Sequence, residues 1–334
     1  MNTIVEFFER ERVGGRPLVA AFVIATQGST YRKPGALMLL SESGERCGLL
    51  SGGCLEGDLQ DHALQLLRGQ QRTLVKTYDS RGSDDPVWGL GLGCEGLMQV
   101  LLLRIDAASS YEPLYSLFSA AKSRIPAAFA INIETGNIAN SAETSTSLNG
   151  KLFTVTAERV PNLLLCGAGP DAEPVVALAV MQGWNVTLVD HRPAYIDATR
   201  FTQGARLLRT DADELDGTVN LHEMDAAVVM SHHLLADGKY LAVLARSKIP
   251  YVGLLGPAAR RERLFAELGS AAESLRPRLR APVGLDLGGR TPEAIALSIV
   301  AEIQAVLHER GGAPFSAGDQ ASSLASLRSR SVKR

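Results

Sequence analysis

Apolar and polar positions along the first half of the chain change period several times. The run 18–26 is rich in Val, Ile and Phe and predicts a strand, and 36–40 and 46–50 flank a polar turn and predict a hairpin. From Leu55 to Leu67 the apolar residues recur at helical spacing, which predicts a helix after Cys54. Further strands are predicted at 72–78, 96–104 and 127–133, with a helix at 111–123. These patterns predict a mixed α+β domain over residues 1–135.

The second half alternates strands and helices in a regular order. Strands are predicted at 162–166, 185–189, 226–230 and 251–255, and helices at 171–182, 237–247, 258–268 and 292–308. This alternation predicts a mainly parallel sheet with helices on both faces. The fold class is therefore α/β, an N-terminal mixed α+β domain followed by a Rossmann-like domain over residues 159–310. Polar residues predict a linker over 136–158, and the Ser-, Gly- and Arg-rich end predicts a disordered tail over 311–334.

Composition narrows the classes of function. The 334 residues include 34 basic and 36 acidic ones, a formal net charge of −2, which argues against a nucleic-acid-binding protein. No apolar run reaches the roughly 18 residues that span a bilayer, and the charged N-terminus lacks the order of a signal peptide. Four cysteines in a chain of this length are typical of reduced thiols. We expect a cytoplasmic protein that does not enter a membrane.

Two of the cysteines lie in glycine-dense segments. Cys54 belongs to the segment 48–58, and Cys94 belongs to the segment 89–96. Glycine allows the backbone to turn sharply and to approach a ligand closely. Cys54 also stands at the start of the predicted helix, a position typical of reactive thiols, where an anion gains about 0.3–1 kcal/mol. Glu56, in the first turn, either complements the helix start or accepts hydrogen bonds from a ring that bears N–H groups.

The segment 27–35 combines hydroxyl groups with positive charge. Ser29 and Thr30 supply the hydroxyls and Arg32 and Lys33 the charges, with glycines near both ends. Donors and charge on a loop that can bend are what a phosphate group requires. The alternative interpretation is a solvated basic loop between two strands.

A dinucleotide-binding pattern opens the second domain. Gly167 and Gly169 follow a predicted strand with the expected spacing, and Asp190 ends the next strand. Pro170 removes an N–H group, and Asp171 places a negative charge where a phosphate would bind. The pattern therefore leaves two interpretations open, a nucleotide site or a tight strand-to-helix turn. Neither a Cys-x-x-Cys pair nor suitably placed histidines indicate a protein-ligated metal site.

These segments together resemble the xanthine dehydrogenase accessory family, also called the XdhC/CoxI family. The matching motifs are spread over roughly residues 18–306, so chance similarity is a poor explanation. They are Ala-Thr-Gln-Gly-Ser-Thr-Tyr-Arg-Lys-Pro-Gly at 25–35, Gly-Leu-Leu-Ser-Gly-Gly-Cys-Leu-Glu-Gly at 48–57, Gly-Leu-Gly-Cys at 91–94, Leu-Cys-Gly-Ala-Gly at 165–169, Gly-Leu-Leu-Gly-Pro at 253–257 and Pro-Val-Gly-Leu-Asp-Leu-Gly-Gly-Arg-Thr-Pro-Glu at 282–293.

The resemblance implies a chaperone rather than an enzyme. Members of this family bind the molybdenum cofactor, a pyranopterin dithiolene that bears a phosphate or a cytosine nucleotide, and shield it. They support its sulfuration with a cysteine desulfurase partner and help deliver it to an apo-molybdoenzyme of the xanthine oxidase class. A homodimer is compatible with the resemblance.

The resemblance also implies which residues contact the cofactor. Those expected at the phosphate or pterin are Gln27, Ser29, Thr30, Arg32 and Lys33. Those expected to shape the pocket are Ser51, Gly52, Gly53 and Glu56, with the Cys54 thiol near the molybdenum. Further cofactor-binding candidates are Cys94, Gly167, Gly169 and Asp190. Two alternatives remain, an NAD(P)-dependent oxidoreductase that uses the Rossmann-like domain and a scaffold that docks an apo-enzyme without touching its cofactor.

Overall fold

The protein is described by a computed structural model, which describes residues 2–79, 81, 96–140, 151–157, 159–202 and 204–314. Contacts between residues divide the chain into two compact units, Met1–Val160 and Pro161–Arg334. The predicted fold class is confirmed: a mixed α and β unit precedes a Rossmann-like unit with a parallel sheet of six strands.

The first unit contains a five-stranded sheet in the order β3-β2-β1-β5-β4 and a three-stranded sheet in the order β7-β6-β8. Its elements are α1 (Asn2–Val13), β1 (Leu18–Gly28), β2 (Leu37–Ser41), β3 (Arg46–Gly48), α2 (Glu56–Arg68), β4 (Thr73–Asp79), β5 (Gly96–Ile105), α3 (Leu114–Ser123), β6 (Ala128–Asn132), β7 (Ile138–Asn140) and β8 (Leu152–Thr156).

Both faces of the five-stranded sheet are buried, which explains the continuous apolar run of β1. Leu18, Ala20 and Phe22 pack on the face that α1 and α3 also cover. Val19 and Ala21 pack on the opposite face, together with the apolar side of α2. Successive side chains of a strand point to opposite faces, so a strand covered on both sides needs apolar residues at every position.

The second unit contains the strand order β11-β10-β9-β12-β13-β14, all parallel. Its elements are β9 (Asn162–Cys166), α4 (Ala172–Met181), β10 (Asn185–Asp190), β11 (Arg206–Arg209), α5 (Leu215–Thr218), β12 (Ala226–Val229), α6 (Leu234–Arg246), β13 (Tyr251–Leu254), α7 (Ala258–Leu268), α8 (Ala271–Leu275), β14 (Leu279–Arg280) and α9 (Pro292–Leu307). Separate apolar clusters cover the two faces, one with α4 and α9 and the other with α6. The order reverses between β9 and β12, the arrangement of classical dinucleotide-binding sheets.

The segment predicted as a linker, 136–158, differs from that expectation. β7 and β8 lie within it and both pair with β6, inside the first unit. Ile138 and Phe153 pack against the apolar cluster of that unit, so the segment buries more than its polar composition indicated. Helix α1 and strands β11 and β14 were likewise not predicted. Most of the predicted tail, 315–334, lies outside the described residues.

Candidate functional site

The strand ends that flank three segments of the first unit lie at the same edge of the five-stranded sheet. β1 ends at Gly28 opposite Gly96, where β5 begins. β2 begins near this edge, and its Met38 pairs with Gly48 at the end of β3. β4 also ends there, because Asp79 pairs with Leu97. The strand register therefore brings together the ends of the segments 29–36, 49–55 and 80–95.

The first of these segments, 29–36, contacts the second through Arg32. The Arg32 Nε donates to the Leu49 carbonyl oxygen at 3.2 Å. Within the segment, Thr30 Oγ1 donates to the Arg32 carbonyl oxygen at 3.0 Å, and Lys33 Nζ lies 3.5 Å from Thr30 Oγ1. Arg32 and Lys33 are exposed, and the only hydrogen bond of the Arg32 guanidinium in the described part of the chain is the one from Nε. Two cationic side chains are thus available at this edge.

The second segment is shaped from inside by Glu56. Its Oε1 accepts hydrogen bonds from the N–H groups of Leu50 (3.2 Å) and Ser51 (2.7 Å), and its Oε2 accepts one from the Ser51 hydroxyl. The Ser51 hydroxyl oxygen in turn accepts from the N–H groups of Gly53 and Leu55. Burial alone would raise the pKa of Glu56, but these hydrogen bonds outweigh it and hold the pKa below its usual value.

Glu56 and Ser51 therefore hold the loop itself. Glu56 is only 1% exposed. The polar side-chain atoms of both residues form hydrogen bonds with each other and with the backbone of residues 50–55. Gly52, Gly53 and Cys54 are instead exposed. Helix α2 begins at Glu56 with Leu55 as its N-cap, so the Cys54 thiol lies just before the helix. The loop presents the thiol on the surface.

The three free cysteines of the described residues have different environments. Cys54 is exposed, Cys47 is partly buried in β3, and Cys166 is fully buried at the end of β9. Burial and the charge of Asp237 raise the pKa of Cys166, which makes its thiol unreactive. Cys94 lies outside the described residues. Cys54 is therefore the accessible thiol among these three.

Contacts at Gly96 bring the start of β5 against the end of β1 and the start of the first segment. A Cβ atom on Gly96 would lie 2.4 Å from the Ser29 carbonyl oxygen and 2.9 Å from that of Gln27, so the two backbones touch. The side chain of Gln27 is also engaged, since its Oε1 accepts from Arg81 at 2.6 Å. Asp79 holds Arg81 through its carboxylate. The sequence did not single out Arg81, because nothing in its local pattern shows that it reaches Gln27.

A cavity of about 380 Å³ adjoins this edge on the face covered by α1 and α3. Arg32, Gly35 and Leu49 form one part of its wall, and apolar side chains from α1, α3 and β8 form the rest, among them Ile4, Phe118 and Val155. Cys54 is not among the lining residues, and α2, which follows it, packs on the opposite face. The edge thus presents a cation beside an apolar cavity and, separately, an exposed thiol.

The glycine pattern of the second unit serves close packing. Gly167 has φ +120°, and a Cβ there would lie 2.6 Å from the backbone of Met230 and Ser231. Gly169 is covered by the side chain of His232, 3.5 Å from where a Cβ would stand. His232 Nε2 also pairs with Asp171 at 3.1 Å. These contacts support the tight-turn interpretation of Gly167 and Gly169 and crowd the expected phosphate position.

The carboxylate of Asp190, one of the further cofactor-binding candidates, is engaged by the chain itself. Its Oδ2 accepts from the Ala168 N–H and the Arg192 guanidinium, and its Oδ1 accepts from the Arg192 N–H and Nε. A carboxylate has about four acceptor sites, so none remains for a ribose hydroxyl. Burial alone would raise the pKa of Asp190, but Arg192 and Ala168 hold it below its usual value. The signal that sequence reasoning missed is the arginine two residues after the aspartate.

Two other features were sought within the described ranges. They contain no group of three or more His, Cys, Asp or Glu residues arranged to hold a metal ion. Nor does any helix there have the length and apolar character needed to cross a membrane.

Family comparisons match both units. The family described as "XdhC and CoxI family" matches residues 12–79, which include the first two glycine-rich segments. The family described as "XdhC Rossmann domain" matches residues 163–303, nearly the whole second unit.

Individual relatives extend the match over most of the chain. A protein of Bacillus subtilis that is named as a probable xanthine dehydrogenase subunit is 33% identical over 308 residues, 85% of this chain and 92% of the relative. The molybdenum cofactor insertion chaperone PaoD of Escherichia coli is 26% identical over 316 residues, 92% of this chain and 89% of the relative. The crystal structure of a xanthine dehydrogenase from Bacillus halodurans superposes with a TM-score of 0.80 at 28% identity, over 94% of this chain and 98% of that one.

Proposed function

Because the chain belongs to the XdhC and CoxI family, we propose that it is an accessory chaperone that binds the molybdenum cofactor and helps insert it into xanthine dehydrogenase-type apo-enzymes. The relative named as a molybdenum cofactor insertion chaperone spans most of this chain and supports the assignment. The structural observation that carries it is that the strand ends flanking the three segments lie at one sheet edge, where Arg32 donates a hydrogen bond to the Leu49 carbonyl oxygen.

The chemistry of this edge suits the cofactor as cargo. Its phosphate requires cations on an accessible loop, which Arg32 and Lys33 supply together with the hydroxyls of Ser29 and Thr30. Its pterin requires room beside backbone groups, and the exposed Gly52 and Gly53 leave that backbone uncovered. The amide oxygen of Gln27 is held by Arg81, and its amide nitrogen, which has no hydrogen-bond partner among the described residues, can donate to a ligand. The exposed Cys54 thiol is suited to the metal–sulfur end.

The finer parts of the function follow from the same assignment. We assign Cys54 to holding the cofactor during sulfuration, with a cysteine desulfurase as the sulfur donor and an apo-molybdoenzyme as the recipient. Cys94, in the third segment, is a second candidate thiol for this step. A homodimer and a cytoplasmic location belong to the same proposal. The domain boundaries proposed with it are a cofactor-binding first unit and a Rossmann-like second unit.

The two alternatives make different demands on the chain. An NAD(P)-dependent oxidoreductase requires a diphosphate and a ribose at the glycine turn, where Ala168 and Asp190 bind each other and His232 covers Gly169. A scaffold without a cofactor site has no use for free cations at the sheet edge. Measuring bound pterin in the purified protein separates both alternatives from the chaperone.

The test is retention of molybdopterin by the full chain. The protein and its variants are mixed with molybdopterin, filtered to remove the unbound ligand, and assayed for pterin fluorescence after denaturation. Arg32→Ala is expected to weaken binding roughly tenfold or more, because a charge-assisted hydrogen bond is worth about 1.5–3 kcal/mol. Arg68→Ala, an exposed arginine at the far end of α2, is the control and should bind as the unaltered protein does.

The thiol is tested in the same assay together with activation of a xanthine dehydrogenase-type apo-enzyme. Cys54→Ala should reduce the activation that the loaded protein gives, whereas Cys47→Ala, in the preceding strand, should not. Unaltered pterin retention and unaltered activation by Cys54→Ala would remove the thiol from the proposal. Absence of retained pterin in the unaltered protein would overturn the chaperone assignment.

A further inference from the structure

A second cavity lies at the carboxyl edge of the parallel sheet in the second unit. Its volume is about 260 Å³, and its wall combines His191 after β10, Asp211 after β11, and His233, Lys239 and Tyr240 around α6. The remaining lining residues are Ala212, Leu235 and Ala236. Ligands of open α/β sheets bind outside the carboxyl ends of the strands, near the point where the strand order reverses. The cavity is therefore placed where such sheets take a ligand, beside the crowded glycine turn.

Tyr240 in this wall has an unmet polar group. The residue is 1% exposed, and its hydroxyl forms no hydrogen bond with any described part of the chain. Buried polar side chains nearly always have a hydrogen-bond partner, so a buried hydroxyl without one in the wall of a cavity points to a ligand as its partner. Burial raises the pKa of Tyr240, so the hydroxyl keeps its proton and can donate or accept.

The other polar groups of the cavity wall include both hydrogen-bond donors and hydrogen-bond acceptors. Asp211 forms no cap bond to the turn that follows it. The hydrogen bond to Asp213 is the main reason why the pKa of Lys239 is raised, and the charge of Asp211 adds to that effect. Burial is the main reason for the raised pKa of Tyr240, and the charge of Asp211 contributes there too. His233 Nδ1 accepts from the Ala236 N–H at 3.3 Å, so the neutral ring carries its proton on Nε2 and can donate it. Ala212 and Leu235 add apolar surface. A flat heterocycle with both donors and acceptors matches this combination.

We infer that this cavity binds the amino-bearing base of a nucleotide, cytosine or adenine, with the Asp211 carboxylate accepting from the exocyclic amino group. A carboxylate pairs well with an exocyclic amino group and poorly with a ring carbonyl. A dinucleotide that lays its diphosphate on the glycine turn does not fit, because the Ala168 N–H is bound to Asp190 and the negatively charged Asp171 starts the adjacent helix. The inference goes beyond the proposed function, since the ligand is a free nucleotide that the second unit binds by itself.

Calorimetric titration of the full chain with CMP, AMP, UMP and NAD⁺ tests the site. CMP or AMP should bind, with UMP roughly tenfold weaker or more, because UMP lacks the amino group. Asp211→Asn should remove this preference, whereas Asp216→Asn, an exposed carboxylate in α5, should leave it unchanged. Tyr240→Phe should weaken binding without lowering the thermal midpoint, since its hydroxyl has no partner to lose among the described residues. Failure of both CMP and AMP to bind, equal behaviour of the two aspartate variants, or tighter binding of NAD⁺ would overturn the inference.

The two forms of the cofactor separate this inference from the chaperone assignment. Asp211→Asn should still retain molybdopterin without a nucleotide. Because the pterin site is proposed in the first unit and the cavity belongs to the second, the variant should also retain the cytosine dinucleotide form as the unaltered protein does. A protein that binds CMP but retains no pterin would contradict only the proposed function, and one that retains pterin but binds no mononucleotide would contradict only the inference.

Discussion

Glu56 shows how one buried carboxylate can prepare a ligand-binding loop without touching the ligand. It accepts hydrogen bonds from Leu50 and Ser51, and the Ser51 hydroxyl oxygen accepts from the N–H groups of Gly53 and Leu55. Glu56→Gln should lower the free energy of unfolding by about 1–3 kcal/mol at neutral pH, because it leaves buried donors poorly matched. Chemical denaturation followed by circular dichroism measures the loss. Glu42→Gln, an exposed residue in a hairpin turn, should change the stability by no more than about 0.5 kcal/mol.

The same residue predicts a pH dependence. Hydrogen bonds hold the pKa of Glu56 below its unfolded value of about 4.3, so its contribution is complete above that pH. It is lost as the pH falls through the lowered pKa, when the folded protein must also take up the proton. The stability difference between the unaltered protein and Glu56→Gln should therefore shrink on acidification below about pH 4. A difference that stays constant from neutral pH down to about pH 3 would contradict this assignment of the carboxylate.

The sequence shows the role of some residues of the candidate site but not of others, because it does not show their hydrogen-bond partners. The accessible cations and the exposed Cys54 follow from glycine-rich context, because such loops remain at the surface. The sequence left open whether Glu56 binds a ligand, and it made Asp190 a cofactor-binding candidate. In the structure both buried carboxylates accept hydrogen bonds from nearby residues of the chain itself. A carboxylate in a motif looks the same in sequence whether it binds a ligand or its own backbone. Hydrogen-bond partners decide between them, and those appear only in the fold.

The junction between β1 and β5 is where two of the three segments touch. Gly96→Ala would place a Cβ atom 2.4 Å from the Ser29 carbonyl oxygen, a contact that neither backbone can relieve without moving. We expect a loss of about 1–3 kcal/mol in the free energy of unfolding, together with weaker pterin retention. Gly52→Ala is the matched control for stability alone, because a Cβ there meets nothing within 4 Å. Equal thermal midpoints for the two variants would show that the close approach is not needed.

Secondary structure was predictable where the burial pattern is simple. The central strands β9, β12 and β13 are buried at every position, because both faces of the sheet are covered, and β9 has the predicted bounds. β7 and β8 escaped prediction, because they are short and lie in a stretch of the sequence that is rich in Thr, Asn and Ser. β14 has only two residues, too few to show a period.

At the scale of the whole molecule, each unit has apolar clusters of its own. The clusters of the first unit involve the five-stranded sheet, and those of the second unit involve the parallel sheet. A fragment from residue 161 onward should therefore fold alone and unfold cooperatively, as a domain with its own core does. Circular dichroism and thermal denaturation of the fragment check this. A fragment without a cooperative transition would show that the second unit needs the first.

The family and the fold class were predictable from the sequence because the glycine motifs are local and numerous. The arrangement of the site was less so. Sheet register, which depends on pairings between residues far apart in the chain, places the three segments at one edge. It also directs Arg32 toward a cavity that Cys54 does not line.

Protection of Cys54 from alkylation tests most directly whether the cofactor binds at this sheet edge. The full chain is treated with iodoacetamide with and without saturating molybdopterin, and mass spectrometry follows each cysteine peptide separately. The bound cofactor should slow alkylation of Cys54 several-fold and leave the rate at Cys47, in strand β3, unchanged. Equal rates at Cys54 with and without retained cofactor would contradict the account, because the cargo would then lie elsewhere.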